Sequence, residues 1–158
     1  MHARVKVAAL VLGAALSLSA CSLAASITTS NAYEPSDGIG LELGDVSTAN
    51  FLLVSSGAGE PAALVGTLFN KGDEPARVFI TIGGETTDIV VAPHAVVTLG
   101  VGEGERSVLT TSPVAAGGIA ELSVQVEGVA PVTSPLPVLD GTLEEYRPVL
   151  EALEASAS

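Results

Sequence analysis

Few side chains in this chain of 158 residues have the chemistry that catalysis or metal binding needs. Cys21 is the only cysteine, His94 is the only histidine after His2, and no methionine follows Met1. A zinc site uses about four His, Cys or carboxylate ligands, and copper sites draw on His, Cys and Met. We therefore expect no metal and no other cofactor bound within this chain.

His94 is the one candidate for a general base in the body of the chain. It follows Pro93 in a predicted loop, where it could in principle pair with a serine and an acid. No Gly-x-Ser-x-Gly segment supplies the nucleophile, and a single loop histidine is usually just exposed. Pairs of acids, as a glycosidase uses, are expected by composition alone among 18 acidic residues. The sequence therefore predicts a protein that is not an enzyme, with His94 kept as a weak candidate contact for a partner.

Two kinds of turn give weaker hints of binding chemistry. Residues 100–104 look like a dinucleotide-binding loop, but residues 107–111 after it read as a strand or turn, so no helix N-terminus would meet a pyrophosphate. Glu103 and Glu105, or the turn at residues 70–73, could hold calcium weakly, although neither has the spacing of a dedicated calcium loop. We discard the first interpretation and build no site on the second.

The N-terminus is laid out as an export signal. Arg4 and Lys6 form a short positive region, and residues 7–18 are apolar except for Gly13 and Ser17. This run is shorter than the roughly 18–20 apolar residues that a membrane-spanning helix needs. The sequence therefore predicts a cleaved signal peptide over residues 1–20 rather than a permanent membrane-spanning anchor.

The predicted signal ends in a motif for lipid attachment. Leu18, Ser19 and Ala20 precede Cys21, in the lipobox order of a branched apolar residue, two small residues and the cysteine that receives diacylglycerol. The alternative is an incidental cysteine behind an ordinary signal, but a free thiol at the cleavage point between Ala20 and Cys21 would be a liability. Two or three acyl chains anchor a protein stably. We expect a lipoprotein held on the outer face of the cell membrane.

Composition divides the rest of the chain into three parts. Residues 21–38 are the lipidated cysteine and a flexible tether of small polar residues, which cannot bury enough apolar area to order itself. Residues 39–140 alternate apolar stretches with turns rich in Gly, Pro, Asn and Asp, and their length suits one domain. Residues 141–158 form a C-terminal tail.

The central domain reads as all-β. Residues 120–127 alternate strictly between apolar and polar side chains, which puts one face on a core and the other in water. Six further segments have the composition of strands: residues 51–54, 63–69, 78–82, 88–91, 96–99 and 132–138. About seven short strands separated by glycine and proline turns predict a single antiparallel immunoglobulin-like β-sandwich.

The tail alone shows a helical spacing of apolar residues. Leu143, Tyr146, Leu150 and Leu153 recur at three- and four-residue steps, although Pro148 would make any helix short or interrupted. We expect a short helical or irregular tail. Its Tyr146 is a second weak candidate for contact with a partner.

Charge limits the class of partner. After residue 20 the chain has four basic and 18 acidic residues, and so a net charge of −14. Because nothing in it could neutralise phosphates, nucleic acid is not an expected partner. The simplest interpretation is a solvated surface that keeps the protein soluble, and the functional alternative is a cationic partner.

Four short segments and a tyrosine, in a fixed order, carry a family resemblance. They are residues 33–38 (YEPSDG), 44–46 (GDV), 64–70 (LVGTLFN) and 136–141 (LPVLDG), followed by Tyr146. Together they resemble actinobacterial cell-envelope lipoproteins of the LpqE type, which implies a β-sandwich in the envelope and no catalytic residues to carry over. Such proteins are distantly similar to PCuAC-type copper chaperones, whose sites use methionine and histidine. This chain lacks those ligands, so copper carriage does not transfer to it.

Two functions follow from these observations. The first is a non-catalytic binding or scaffolding module that contacts another envelope protein or a cell-wall polymer through a sheet face or the loops at one end. The second is a carrier of a small ligand or metal ion, which would need a concave pocket or acids that converge in space. The fold alone cannot choose between them, because β-sandwiches host unrelated functions.

Overall fold

The computed structural model describes residues 37–156, which lie in one compact unit. The predicted signal peptide, the cleavage position between Ala20 and Cys21, and residues 22–36 of the predicted tether lie outside the described residues. Within residues 37–156, no helix has both the length and the apolar character needed to cross a membrane.

Nine strands and one helix make up the described part of the chain. In order they are β1 (Ile39–Leu43), β2 (Val46–Ser55), β3 (Pro61–Asn70), β4 (Ala76–Ile82), β5 (Glu85–Val91), β6 (Val96–Leu99), β7 (Leu109–Thr111), β8 (Ile119–Val126), β9 (Val132–Leu139) and α1 (Arg147–Ser156). Each of the seven segments predicted as strands overlaps one of them. The all-β prediction is confirmed, with a short helix in the tail.

The strands form one continuous mixed sheet, and the predicted antiparallel sandwich of about seven strands is corrected in this respect. Neighbouring strands follow the order β5-β4-β8-β9-β2-β3-β6, with β1 added on β2 and β7 added on β3. Every pair is antiparallel except β2 and β9, which run parallel where Leu53 pairs with Val138. This parallel pairing is short, because β9 lies along β8 for most of its length and reaches β2 only with its last residues.

Two side-chain contacts tie the ends of this sheet together. Glu85, the first residue of β5, accepts hydrogen bonds from the hydroxyl of Thr110 and, at 3.2 Å, from the backbone N–H of Thr111 in β7. Asn70, the last residue of β3, donates from Nδ2 to the carbonyl of Val91 at the end of β5, at 3.1 Å. Since β5 is at one end of the strand order and β3 and β7 are near the other, these contacts curl the sheet until it is nearly barrel-shaped.

Alternate side chains fill the interior of the curled sheet. In β8, the apolar residues Ala120, Leu122, Val124 and Val126 are at most 7% exposed, whereas the residues between them face outward. The same alternation buries three residues of β4. Burial of this apolar surface is the main stabilising contribution to the fold. The alternation of apolar and polar residues in the sequence therefore matches the alternation of buried and exposed side chains along these strands.

β2 is buried on both faces, which explains its four consecutive apolar residues. Phe51 and Leu53 belong to the main core, whereas Leu52 and Val54 form a second cluster with Tyr146. Partly buried residues of α1 pack against this cluster. The tail helix thus covers the outer face of β2.

Pro148 does not interrupt α1. It is the second residue of the helix, in the first turn, where the backbone N–H has no helical partner to lose. Leu153 in the last turns is 3% exposed, and Leu143 before the helix is 42% exposed. The helical spacing predicted for the tail therefore holds from Tyr146 to Leu153 but not at Leu143.

A β-bulge interrupts β2 at its centre. The register with β3 shifts between Ala49 and Leu52, and Asn50 has a left-handed backbone with φ 53°. Gly66 of β3 faces the bulge, and a Cβ on it would lie 2.5 Å from Cδ1 of Phe51. Only glycine therefore fits opposite the bulge without a shift of the backbone, and the bulge aims Asn50 out of the normal alternation.

Candidate functional site

Three connections meet at one end of the sheet and form an open cleft of about 610 Å³. They are the turn between β1 and β2, the loop between β3 and β4, and the turn between β8 and β9. The register brings them together, because β1, β3 and β8 all end at this side. We call this surface the acidic cleft, since four carboxylates line it: Asp45, Asp73, Glu74 and Glu127.

Asn70 holds the middle loop of the acidic cleft in place. Its side chain is buried, and Oδ1 accepts a hydrogen bond from the N–H of Gly72 at 3.0 Å. Nδ2 donates to three carbonyls, those of Glu74 (2.8 Å), Val91 (3.1 Å) and Ala92 (3.1 Å). One amide therefore fixes the loop that carries Asp73 and Glu74 to the end of β5.

Three of the four carboxylates of the acidic cleft have no counter-ion. Among residues 37–156, no salt bridge involves Asp45, Glu74 or Glu127. Arg77 also lines the cleft, but its Nη2 pairs with Oδ2 of Asp88 at 2.8 Å, which offsets its charge. The exposed side chains thus present uncompensated negative charge to anything that enters the cleft.

His94, in the loop between β5 and β6, contacts Asp73 of the acidic cleft. Its Nε2 is 3.0 Å from Oδ1 of Asp73, and the two side chains are 65% and 95% exposed. An exposed pair of this kind stabilises a fold by at most about 1 kcal/mol. In the part of the chain that the structure describes, no hydroxyl is hydrogen-bonded to His94, so the pair lacks a nucleophile. Its role as a partner contact stays a prediction.

The acidic cleft does not provide a metal site. Within the described range, no group of three or more His, Cys, Asp or Glu side chains is placed to hold a metal ion. The turn at residues 70–73 was considered for calcium from the sequence. In the structure the side-chain amide of Asn70 is hydrogen-bonded to backbone groups, and the carboxylate of Asp73 is hydrogen-bonded to His94. The described side chains therefore offer neither calcium nor copper a set of three such ligands.

The glycine-rich loop after β6 folds around a carboxylate of its own. Oε2 of Glu105 accepts a hydrogen bond from the N–H of Gly102 at 2.7 Å, and the N–H of Glu105 donates to the carbonyl of Gly102 at 3.2 Å. The loop therefore holds its own anion where a nucleotide loop would hold a phosphate, which agrees with discarding that interpretation. Glu103 in the same loop is exposed.

Removing the Glu105 carboxylate is expected to loosen this loop. Glu105→Ala deletes one charge-assisted hydrogen bond at an exposed position, so we expect the free energy of unfolding to fall by about 1 kcal/mol. The amide of Gly102 should also exchange faster with deuterium. Glu103→Ala is the matched control, and an equal effect of both variants on stability and on Gly102 exchange would contradict the contact.

Tyr146 packs against β2 of the same chain. Its ring is 6% exposed and packs with Leu52 and Val54, and its hydroxyl donates to Oδ2 of Asp37 at 3.3 Å. Burial, and after it the negative charge of Asp37, raises the pKa of Tyr146 above the ordinary value. A role for Tyr146 as a partner contact would therefore require the tail to move.

Of the residues that line the acidic cleft, those in the turn at residues 70–73 were considered from the sequence as a weak calcium site, whereas the other carboxylates were not considered as a site. Asp45, Glu74 and Glu127 were counted with the solvated surface, because each is an ordinary turn acid by itself. A partial signal was present: each acid follows the end of a strand, and two strands, β2 and β3, separate the first two connections, whereas the third is placed only by the antiparallel pairing of β8 with β4. In an antiparallel array such connections lie at the same end, so their acids accumulate there.

Comparisons with known proteins give similarity to solved structures alone, since no protein-family model and no curated protein matches the chain. The copper-bound PCuAC domain from PmoF2 is 21% identical, with a TM-score of 0.49, over 65% of this chain and 98% of that one. The apo PCuAC domain from PmoF1 is 18% identical, with a TM-score of 0.49, over 63% and 98%. For the apo PmoF2 PCuAC domain the values are 18%, 0.48, 66% and 98%.

These three neighbours are PCuAC domains, and the LpqE-type resemblance of the sequence stays a prediction. Copper belongs to the description of the PmoF2 domain. At this level of identity and superposition, no ligand is transferred to the present chain.

Proposed function

We propose that this chain is a lipid-anchored, extracytoplasmic binding module whose acidic cleft receives a cationic group of an envelope partner. The observation that carries the proposal is the open cleft lined by Asp45, Glu74 and Glu127, three carboxylates that form no salt bridge within residues 37–156. Ammonium and guanidinium groups are the chemistry that such a surface attracts. The partner is therefore a protein segment rich in lysine or arginine, or a cell-wall polymer that carries amines.

The proposed anchor rests on the sequence. Residues 18–21 have the lipobox order, and Cys21 is the only thiol of the chain. Lipid on Cys21 would hold the domain at the outer face of the membrane, where basic segments of other envelope proteins are within reach. Anchoring also raises the effective concentration of the domain toward partners on the same membrane.

The alternative function, a carrier of a small ligand or metal ion, has less support. Among residues 37–156 no three ligands converge on a metal position. The acidic cleft is also formed by surface loops, whereas carriers enclose most of their ligand in a concave, largely apolar pocket. We therefore place the carrier second.

The proposal is tested with a defined cation. A tetralysine peptide is titrated into the chain and into a cleft variant that carries Asp45→Asn, Glu74→Gln and Glu127→Gln. Three exposed ion pairs, at about 0.2–1 kcal/mol each, predict a loss of affinity of about tenfold, with a weaker dependence on salt. The control variant changes the same charge away from the cleft, through Glu103→Gln, Glu121→Gln and Glu144→Gln.

The same variants are then compared in intact cells by crosslinking. A true partner should be recovered with the wild-type chain and with the control variant, and lost with the cleft variant. Cys21→Ala should release the protein from the membrane fraction and reduce recovery as well. Equal affinity of the cleft and control variants for the peptide, together with unchanged crosslinks, would overturn the proposed site; membrane retention of Cys21→Ala would overturn the anchor.

A further inference from the structure

The polypeptide enters the domain through a contact that requires glycine. The N–H of Gly38 donates to Oδ1 of Asn50 at 3.0 Å. A Cβ on Gly38 would lie 2.5 Å from the carbonyl carbon of Asn50, a distance that no real side chain tolerates. Asn50 is the bulge residue of β2, so the segment before β1 is seated directly on the bulge.

The C-terminal segment closes over the same point. The hydroxyl of Tyr146 donates to Asp37, a residue 109 positions earlier in the chain. The ring is held by the second apolar cluster, in which Leu52 and Val54 are fully buried. Leu153, two turns further along α1, is buried as well, so the helix keeps the ring in position.

We infer that residues 143–156, which we call the strap, clamp the N-terminal segment, residues 37 and 38, onto the β2 bulge. The strap thereby fixes the point where this segment leaves the domain. Four groups form the clamp: the hydroxyl of Tyr146, the carboxylate of Asp37, the N–H of Gly38 and the amide of Asn50. None of them lines the acidic cleft. The strap is therefore a device separate from the proposed binding surface.

The clamp also fixes where the chain enters the domain relative to the acidic cleft. β1 begins at Ile39, paired with Phe51, and ends at Leu43, paired with Val46 beside the acidic cleft. The chain thus runs toward the cleft as it enters, and its exit point lies about four residues, or roughly 13 Å, from the cleft end. If Cys21 anchors the chain as proposed above, the tether joins the domain at the end away from the cleft. That consequence rests on the proposed function, whereas the clamp itself does not.

The clamp is tested by hydrogen exchange of single amides. Tyr146→Phe keeps the ring and removes the hydroxyl, so the domain should stay folded while the N-terminal segment opens more often. We expect exchange of the Gly38 amide to rise about tenfold, the equivalent of one hydrogen bond to a charged acceptor. The amide of Leu41, which donates to Thr48 at 3.0 Å, should not change.

Asp37→Ala approaches the clamp from the other side and cannot disturb the core, because Asp37 is exposed. It should raise exchange of the Gly38 amide by a similar factor. Unchanged Gly38 exchange in both variants would overturn the clamp. A rise that extends equally to Leu41 would do the same, because it would report general loosening.

The exit point is tested with a nitroxide label on Ser36→Cys, in a chain that starts at residue 21 and carries Cys21→Ser. The label should broaden the amide resonance of Leu150 in the strap more strongly than that of Gly128 near the cleft. Equal broadening of both would overturn the fixed exit. Because this chain carries no lipid and no cationic ligand, its outcome does not depend on the proposed function.

The ionisation of Tyr146 gives an independent readout. The chain has two tyrosines and no tryptophan, so Tyr33→Phe leaves Tyr146 as the only residue that absorbs near 295 nm on deprotonation. Since the charge of Asp37 contributes to the raised pKa of Tyr146, Asp37→Asn should lower that pKa. An unchanged titration would show that the two groups do not meet.

Discussion

A chain that ends at Gly141 is expected to lose its cooperative thermal unfolding transition. Truncation removes Tyr146 and Leu153, both buried, and returns Leu52 and Val54 of β2 to water. Each large apolar side chain stabilises a fold by about 1.5–3 kcal/mol when buried. Four of them together approach the about 5–15 kcal/mol of net stability that a typical domain has. The strap is thus a structural part of the domain and not an appendage.

The measurement is thermal unfolding by circular dichroism, with variants of graded severity. Leu153→Ala should cost about 2–4 kcal/mol, because it leaves a cavity under α1. Leu143→Ala removes an equal side chain at an exposed position and should change stability by less than about 0.5 kcal/mol. A chain that ends at Gly141 and melts within a few degrees of the full chain would show that the strap does not contribute to the fold.

This result bears on how partners are sought. Deleting the tail is an obvious way to ask whether Tyr146 contacts a partner, but the deletion would also expose an apolar sheet face. Loss of a crosslink would then report unfolding rather than a missing contact. Tyr146→Phe and the cleft variants are cleaner, since neither removes buried apolar surface.

Most of the strands could be predicted because burial in a half-exposed strand leaves a period of two in the sequence. Residues 120–127 show this best, and β8 has the expected alternation. One strand, β1, was missed, and β7 was interpreted only as a strand or turn within residues 107–111. β1 is a partly buried edge strand interrupted by Gly40, and β7 has three residues, too few for a period to show. Edge and very short strands are specified by their partner strand rather than by their own pattern.

The packing of the tail helix on β2 could also have been predicted from the sequence. The run from Phe51 to Val54 has no alternation, and such a run indicates a strand with both faces buried. The tail is the one segment with a helical apolar face, so the two patterns complement each other. The closure of the sheet through Glu85 and Asn70 could not be predicted, because each contact joins residues more than 20 positions apart.

The acidic cleft could not be predicted from the sequence, for a related reason. Its carboxylates are separated by up to 82 positions in sequence, and turn acids have no pattern of their own to distinguish a cleft from a solvated surface. Strand order and register are needed to bring the three connections to one end. Once the register is known, the charge of the cleft follows from the turns themselves, and so does the class of ligand that it would attract.

Asn70→Asp is expected to be the most destabilising single substitution at the cleft end, at about 3–5 kcal/mol. The side chain is 3% exposed, and its amide nitrogen faces three backbone carbonyls between 2.8 and 3.1 Å away. A carboxylate of the same shape would place negative charge against three acceptors and remove the donor that Asn70 supplies to each of them. Loss of this contact frees both the loop of the acidic cleft and the closure between β3 and β5.

The pH dependence of the Asn70→Asp variant separates this cause from simple mispacking. Carbonyl neighbours and burial would raise the pKa of the introduced carboxyl above its unfolded value, because only the protonated form can donate. Stability should therefore be greatest below the unfolded pKa of about 3.9 and fall as pH rises through the folded pKa. Urea unfolding at pH 4 and pH 7 measures the difference, with the exposed change Gln125→Glu as control. A variant equally unstable at both pH values, relative to the wild type, would instead point to a steric cause.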